Sequence, residues 1–224
     1  LLTAPPPVLE KGTRVWYRDR DGAEIEAHVV HVDRSCCFSP SDEPLYTVSL
    51  TGADGRERST VRERLRPYRH ACVLLIGFSE AHQAGAALLV RMADGSGRCM
   101  VPGGLLEAVD EEGAQGALRE FAEEVLGLSG EAAQARGTEL WRQAHATGAL
   151  HGPFGSTEVH EAFLAVAGGS FGSIDEVASS FSPNDECEAA VLVPISRIDG
   201  SASEVEGFDG TTIQLREKLG FQRM

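Results

Sequence analysis

Positive charge is scarce in this chain. It carries 20 Lys and Arg against 34 Asp and Glu, a formal net charge of −14 over 224 residues. A nonspecific nucleic-acid binder needs a basic footprint, so the charge argues against that class. It does not argue against a nucleotide substrate, because a bound metal inverts the local field. No apolar run is long enough to span a bilayer, so no membrane partner is expected. Zinc spacing is missing too. The five cysteines, Cys36, Cys37, Cys72, Cys99 and Cys187, are odd in number and read as reduced, packed thiols of an intracellular protein. There is no internal repeat and no coiled-coil pattern. The Pro-rich residues 1–10 lack the basic head of a signal peptide and read as a flexible tail. Leu1 at the start leaves room for a removed targeting segment. The default compartment is cytoplasmic, with nucleus and organelle left open.

Two stretches are patterned differently. Residues 11–67 show short alternating runs, Val15-Trp16-Tyr17, Ala27 to Val32, Tyr46 to Leu50 and Arg58 to Val61, parted by turn signals such as Arg20-Asp21-Gly22. Four or five short strands in so few residues suggest a small β-barrel. With Lys11 to Val15, Ala27 to Val30, Tyr46 to Val48 and Arg64 to Pro67, the segment resembles SH3-like barrels of the Tudor and agenet type. That resemblance implies an interaction module with a possible protein partner. Trp16, Tyr17, Phe38 and Tyr46 are the candidates for an aromatic cage. Strand alternation puts Trp16 and Tyr17 on opposite faces, and core filling is the preferred reading of these aromatics.

Residues 70–200 read as a mixed α+β domain, an α/β/α sandwich with a mixed sheet, rather than a doubly wound one. Ala71 to Phe78 is nearly all apolar and suits a strand buried on both faces. Gly85 to Met92, Arg98 to Val101, Glu139 to Ala144, Val159 to Val166 and Glu188 to Pro194 read as further strands. Asp110 is placed to cap a helix from Glu111, with Ala114, Ala117, Leu118, Phe121, Ala122 and Val125 as its apolar face and Gly127 as its stop. Residues 131–136 read as a helical turn or a loop, 146–157 as a loop, and 168–184 as a long mobile insertion. The segment 201–224 is expected to be helical in part, around Gln214 to Leu219.

The run Arg119-Glu120-Phe121-Ala122-Glu123-Glu124 carries the chemistry. On a helix, Glu123 and Glu124 follow Glu120 by three and four positions, so three carboxylates can converge. They would repel unless a cation neutralised them, and hard oxygen ligands suit Mg²⁺ or Mn²⁺. The bland alternative is a solvated acidic face with an Arg119–Glu123 surface pair. Pro102-Gly103-Gly104, Glu111 and Gly127-Leu128 lie around the run. Together these residues resemble the Nudix box, G-x5-E-x7-R-E-U-x-E-E-x-G-U, where U is bulky and apolar. The central part, Glu111 to Glu124, matches without change. Six residues separate Gly104 from Glu111 and two separate Glu124 from Gly127, each one more than the pattern. Using Asp110 instead keeps the first spacing and breaks the second.

The resemblance implies a Mg²⁺-dependent hydrolase that cleaves the pyrophosphate link of a nucleoside diphosphate joined to another group. It implies Gly104, through its carbonyl, with Glu120, Glu123 and Glu124 as metal ligands, and Glu111 with Arg119 as a bracing ion pair. The general base is a box glutamate, Glu123 or Glu124, or a later one among Glu158, Glu161, Asp185, Glu186 and Glu188. Glu186 is the choice among the later ones. His151 and His160 are further phosphate or base contacts. Trp141, Phe154 and Phe163 could stack a base or fill the core. The rival reading is a weak or inactive Nudix-fold scaffold subunit, motivated by the box spacing and the extra module.

Overall fold

The computed structural model describes residues 8–37, 42–51, 55–106, 112–154, 160–198 and 203–215. The chain divides into two compact units, Leu1–Tyr68 and Arg69–Met224.

The first unit is one antiparallel sheet. Its strands are β1 (Arg14–Arg18), β2 (Glu24–Asp33), β3 (Leu45–Leu50), β4 (Glu57–Thr60) and β5 (Leu65–Pro67), in the order β4-β3-β2-β1-β5. The Asp19 carboxylate accepts the Asp21 and Ala23 amides at 2.9 and 3.0 Å, fixing the turn that joins β1 to β2. Alternation turns Val15, Tyr17, Ala27, Val29, Tyr46, Val48 and Leu65 into a single core. Leu9 joins that core, and its amide donates to the Tyr46 hydroxyl at 3.3 Å, so the expected tail is docked at its end. Among the described residues no pairing joins β4 to β5, so the sheet is not closed into the expected barrel. Both are short, and a 3₁₀ turn, Arg62–Arg64, carries the chain between them.

The second unit is built on a mixed sheet. Strands β6 (His70–Ser79), β7 (Ala84–Met92), β8 (Cys99–Met100) and β9 (Gly103–Leu105) precede helices α1 (Gly113–Glu124) and α2 (Gly130–Thr147). Then follow β10 (Leu150–Phe154), β11 (His160–Val166), α3 (Ile174–Ser179), β12 (Cys187–Pro194), β13 (Glu204–Glu206) and β14 (Thr212–Gln214). The main order is β10-β11-β6-β7-β12, with β8 beside β7 and β9 beside β6. Among the described residues only β11 and β6 run parallel; the other pairs in this sheet are antiparallel.

The apolar runs of β6 and β7 are buried on both faces. Ala71, Val73, Leu75, Leu88 and Val90 point toward the helices. Leu74, Ala87 and Leu89 point the other way, against Val205, Ile213 and Leu215. All three helices share the first face, so among the described residues the second face is covered by the β13–β14 hairpin and not by a helical layer. Gln214 therefore lies in a strand where a helix was expected, and residues 216–224 lie outside the described residues.

Three other expectations are corrected. Residues Glu139–Ala144 are helical, inside α2. Its buried residues Ala133, Gly137, Leu140 and Ala144 recur at helical spacing, and an alanine-sized methyl at Gly137 would lie 2.7 Å from the Arg119 backbone. That close approach needs a helix with a small-residue face. Leu150–Phe154 is the edge strand β10 rather than loop, held by pairing with β11. The expected insertion at 168–184 contains α3, started by a capping box in which Ser173 and Glu176 each bond the other's backbone amide.

Candidate active site

Helix α1 begins after Glu112; Asp110 and Glu111 lie outside the described residues. Ala114, Ala117, Leu118, Phe121 and Val125 face the sheet, and Gly127, at φ +63°, lets the Leu128 amide reach the Ala122 carbonyl at 3.1 Å. The other sides of α1 are covered as well. As a result Arg119, Glu120 and Glu124 are buried, at 3, 8 and 3 % exposure.

Gly103 and Gly104 bring β9 close to the helix. A methyl on Gly103 would sit 2.5 Å from the Ala71 carbonyl oxygen, and one on Gly104 would sit 2.5 Å from the Glu120 carboxyl carbon. The need is for close approach at Gly104, not for a left-handed backbone there. The Gly103 amide donates to Glu124 Oε2 at 2.8 Å. Among its acceptors Arg119 holds Glu120 Oε1 at 2.8 Å, Glu123 Oε2 at 3.0 Å and the Leu105 carbonyl at 2.8 Å. Glu123 is the most exposed of the three glutamates, with 30 % of its side chain open.

Burial shapes the acidities. It is the main reason the Glu120 carboxyl is pushed up to about 7, with Arg119 opposing and Glu123 and Glu186 adding repulsion. Burial likewise pushes Glu124 up to about 9, against the Gly103 amide and with repulsion from Glu120, Glu186 and Glu123. Glu186 is exposed, on the loop before β12, near enough to act on both carboxyls. Asn184 is a residue that the sequence did not single out. Its amide nitrogen donates to the Glu123 and Glu124 carbonyls at 3.0 and 3.3 Å, and its oxygen accepts the Glu186 and Cys187 amides at 2.9 and 2.8 Å. It ties the end of α1 to the loop that carries Glu186. No local signal marks it, since its partners lie about sixty positions away.

The remaining candidates separate. Asp185 and Glu188 are exposed, and Glu158 lies outside the described residues. Glu161 forms an ion pair with Arg69. His160 stacks on His70, ring centroids 5.0 Å apart. Phe163 is core, while Trp141 lies over the same core with its outer side at a cavity that His151 also lines. Phe154 is half-buried on β10. In the first unit Tyr17 and Tyr46 are core and Phe38 lies outside the described residues. Trp16, on the opposite face, stacks on Tyr68 at 4.9 Å. The Arg66 guanidinium lies 5.8 Å from the Trp16 ring and that of Arg14 lies 4.7 Å from the Tyr68 ring. Glu24 binds Arg66 at 2.9 Å and Glu26 binds Arg14 at 2.5 Å.

Among the described residues no three His, Cys, Asp or Glu side chains are gathered in the geometry of a metal site. The donor set nevertheless suits a hard divalent cation. Two buried carboxyls whose pKa values are pushed up, and a third acidic group beside them, hold less negative charge than their number allows. A cation would draw both down.

No helix among the described residues is long and apolar enough to cross a membrane. No protein-family model matches the chain, and no curated protein is similar enough to match. Among solved structures, one described as "Crystal structure of ADP compounds hydrolase" matches over 76 % of this chain and 79 % of its own, at 15 % identity and a TM-score of 0.27.

Proposed function

We propose that the second unit is a Mg²⁺-dependent hydrolase of the Nudix type, cleaving the pyrophosphate link of a nucleoside diphosphate derivative. The observation that supports this best is the pair Glu120 and Glu124, buried beside Gly103-Gly104 and pushed up to about 7 and about 9. Two carboxyls that resist ionising together are suited to sharing a cation. Glu120 and Glu124 would hold it, with Glu123 and the Gly104 carbonyl completing the set. The metal would polarise the bridging phosphate and acidify the attacking water. Arg119 orients Glu120 and Glu123, and the Gly103 amide fixes Glu124. Glu186, exposed and with its backbone amide bonded to Asn184, would take a proton from the attacking water.

One observation favours the scaffold reading instead. Arg119 occupies both Glu120 and Glu123, the same groups a cation would need. The two readings part in one experiment. The protein is incubated with ADP-ribose, dinucleoside polyphosphates, NADH and nucleoside triphosphates, with and without Mg²⁺. Metal-dependent turnover that disappears in Glu124→Gln supports the hydrolase. Silence across the panel, with no Mg²⁺ binding by calorimetry, overturns it and leaves the scaffold.

A further inference from the structure

A cavity of about 390 Å³ lies beside the first turn of α1, between α2, β10 and β11. That volume falls within the range of small-molecule sites. One wall is flat: Trp141, with His145 beside it at 5.8 Å and tilted by 33°. Phe163 provides apolar depth. The polar groups are of mixed sign, Glu112 and Glu161 against Arg69, which already pairs with Glu161.

This mixture selects by chemistry. A phosphate would face two carboxylates and one neutralised arginine. A simple cation would face that arginine and the positive end of a helix. An alkyl chain would take the remaining water from Glu161, whose side chain is 14 % exposed, and offer no hydrogen bond in return. A flat nitrogen heterocycle suits all of it. Its face would stack on Trp141, its N–H groups would donate to the carboxylates, and its ring nitrogens would accept from Arg69 or from first-turn amides of α1, where among the described residues the Glu112 side chain makes no capping bond.

Register relates this cavity to the carboxyl cluster. Ala71 on β6 is paired with Glu161 of β11 on one side and with Gly104 of β9 on the other. The three positions therefore share one face of the sheet, about 10 Å from end to end at two strand spacings. Helix α1 lies over the same line. Its Gly113 packs on the Glu161 carboxylate and its Glu120 packs on Gly104. Those two helix positions are seven residues apart, again about 10 Å. Strand spacing and helix rise thus agree on the span between Glu161 and Gly104, about the reach of a nucleoside 5′-diphosphate from its base to its phosphates.

We infer that this cavity takes the nucleobase of the substrate, stacked on Trp141, and thereby presents the diphosphate to the carboxyl cluster. This rests on the proposed hydrolase reading for its second half only. The binding half is tested without metal or turnover. Adenosine, guanosine, cytidine and uridine are titrated into the full chain in EDTA, with ribose 5-phosphate as the base-free control. Calorimetry and the fluorescence of a Trp16→Phe variant, in which Trp141 is the remaining tryptophan, read binding. At least one nucleoside should bind, ribose 5-phosphate should not, Trp141→Ala should weaken binding tenfold or more, and Trp141→Phe should restore most of it. Trp141 is half-exposed, and unchanged thermal melting would show that the alanine variant folds. Binding of ribose 5-phosphate, no nucleoside binding, or binding indifferent to Trp141 overturns the inference. Hydrolysis without nucleoside binding would sink this inference alone; nucleoside binding without hydrolysis would sink only the proposed activity.

Discussion

Replacing Glu124 by glutamine should strengthen the fold while abolishing hydrolysis. Metal-free, the Glu124 carboxyl titrates at about 9, against 4.5 ordinarily. The unfolded chain releases this proton near 4.5 and the folded chain keeps it to about 9. Between those values the folded state binds more protons, so its stability falls as pH rises. The loss from this group is about 1 kcal/mol at pH 5.5 and about 3 kcal/mol at pH 7. Glutamine copies the neutral acid in shape and still accepts the Gly103 amide, now bonded at 2.8 Å. It has no proton to lose. The gain over wild type should therefore grow from nothing at pH 4 to about 3 kcal/mol at pH 7. Urea unfolding in EDTA at half-unit steps from pH 4 to 8 measures it. A variant weaker than wild type throughout, or a difference that stays flat with pH, would refute the account of burial and repulsion at this helix. A knockout that stabilises is the mark of a group kept under strain for use.

Millimolar Mg²⁺ should flatten the loss of wild-type stability between pH 5 and 9, and flatten it less in Glu124→Gln, where only the Glu120 part of the slope remains; equal slopes with and without the ion would mean no cation meets these carboxyls. Glu120, pushed up to about 7, contributes to the same slope in the lower half of that window. Gly104→Ala puts a methyl 2.5 Å from the Glu120 carboxyl carbon, so metal-dependent hydrolysis should fall at least tenfold with the far-UV circular dichroism retained; full activity would remove Glu120 from the site. Gly137→Ala should destabilise, because the methyl meets the Arg119 backbone at 2.7 Å and overpacking of about 1–3 kcal/mol outweighs the helix propensity gained, about 1 kcal/mol. Urea midpoints decide, and a stabilised variant would mean α1 and α2 can move apart freely.

Which elements the sequence reveals follows from how strongly each declares its burial. Strands β6, β7, β11 and β12 are apolar on both faces or bounded by turns, and their pattern has one reading. Helix α2 hides because its buried face is Ala133, Gly137, Leu140 and Ala144. Small residues give a weak hydrophobic signal, so Leu140-Trp141 passes for the middle of a strand. Helix α3 is too short for periodicity, yet Ser173-x-x-Glu176 is a readable capping box within the Gly- and Ser-rich stretch. The acidic run on α1 is legible because its members are close in sequence. Asn184, and the Arg69–Glu161 pair across 92 positions, are not, since helix–loop packing joins the first to α1 and sheet pairing brings the second together.

The stack on the first unit has a consequence for any visitor. The rings of Trp16 and Tyr68 already have resident guanidiniums beside them, each tethered by a glutamate. An external cation would have to evict Arg66 or Arg14 before resting on either ring. Added salt ordinarily weakens a charged guest, but here it would also loosen the tethers of the residents. Affinity at that face should therefore depend less steeply on ionic strength than a bare aromatic surface would.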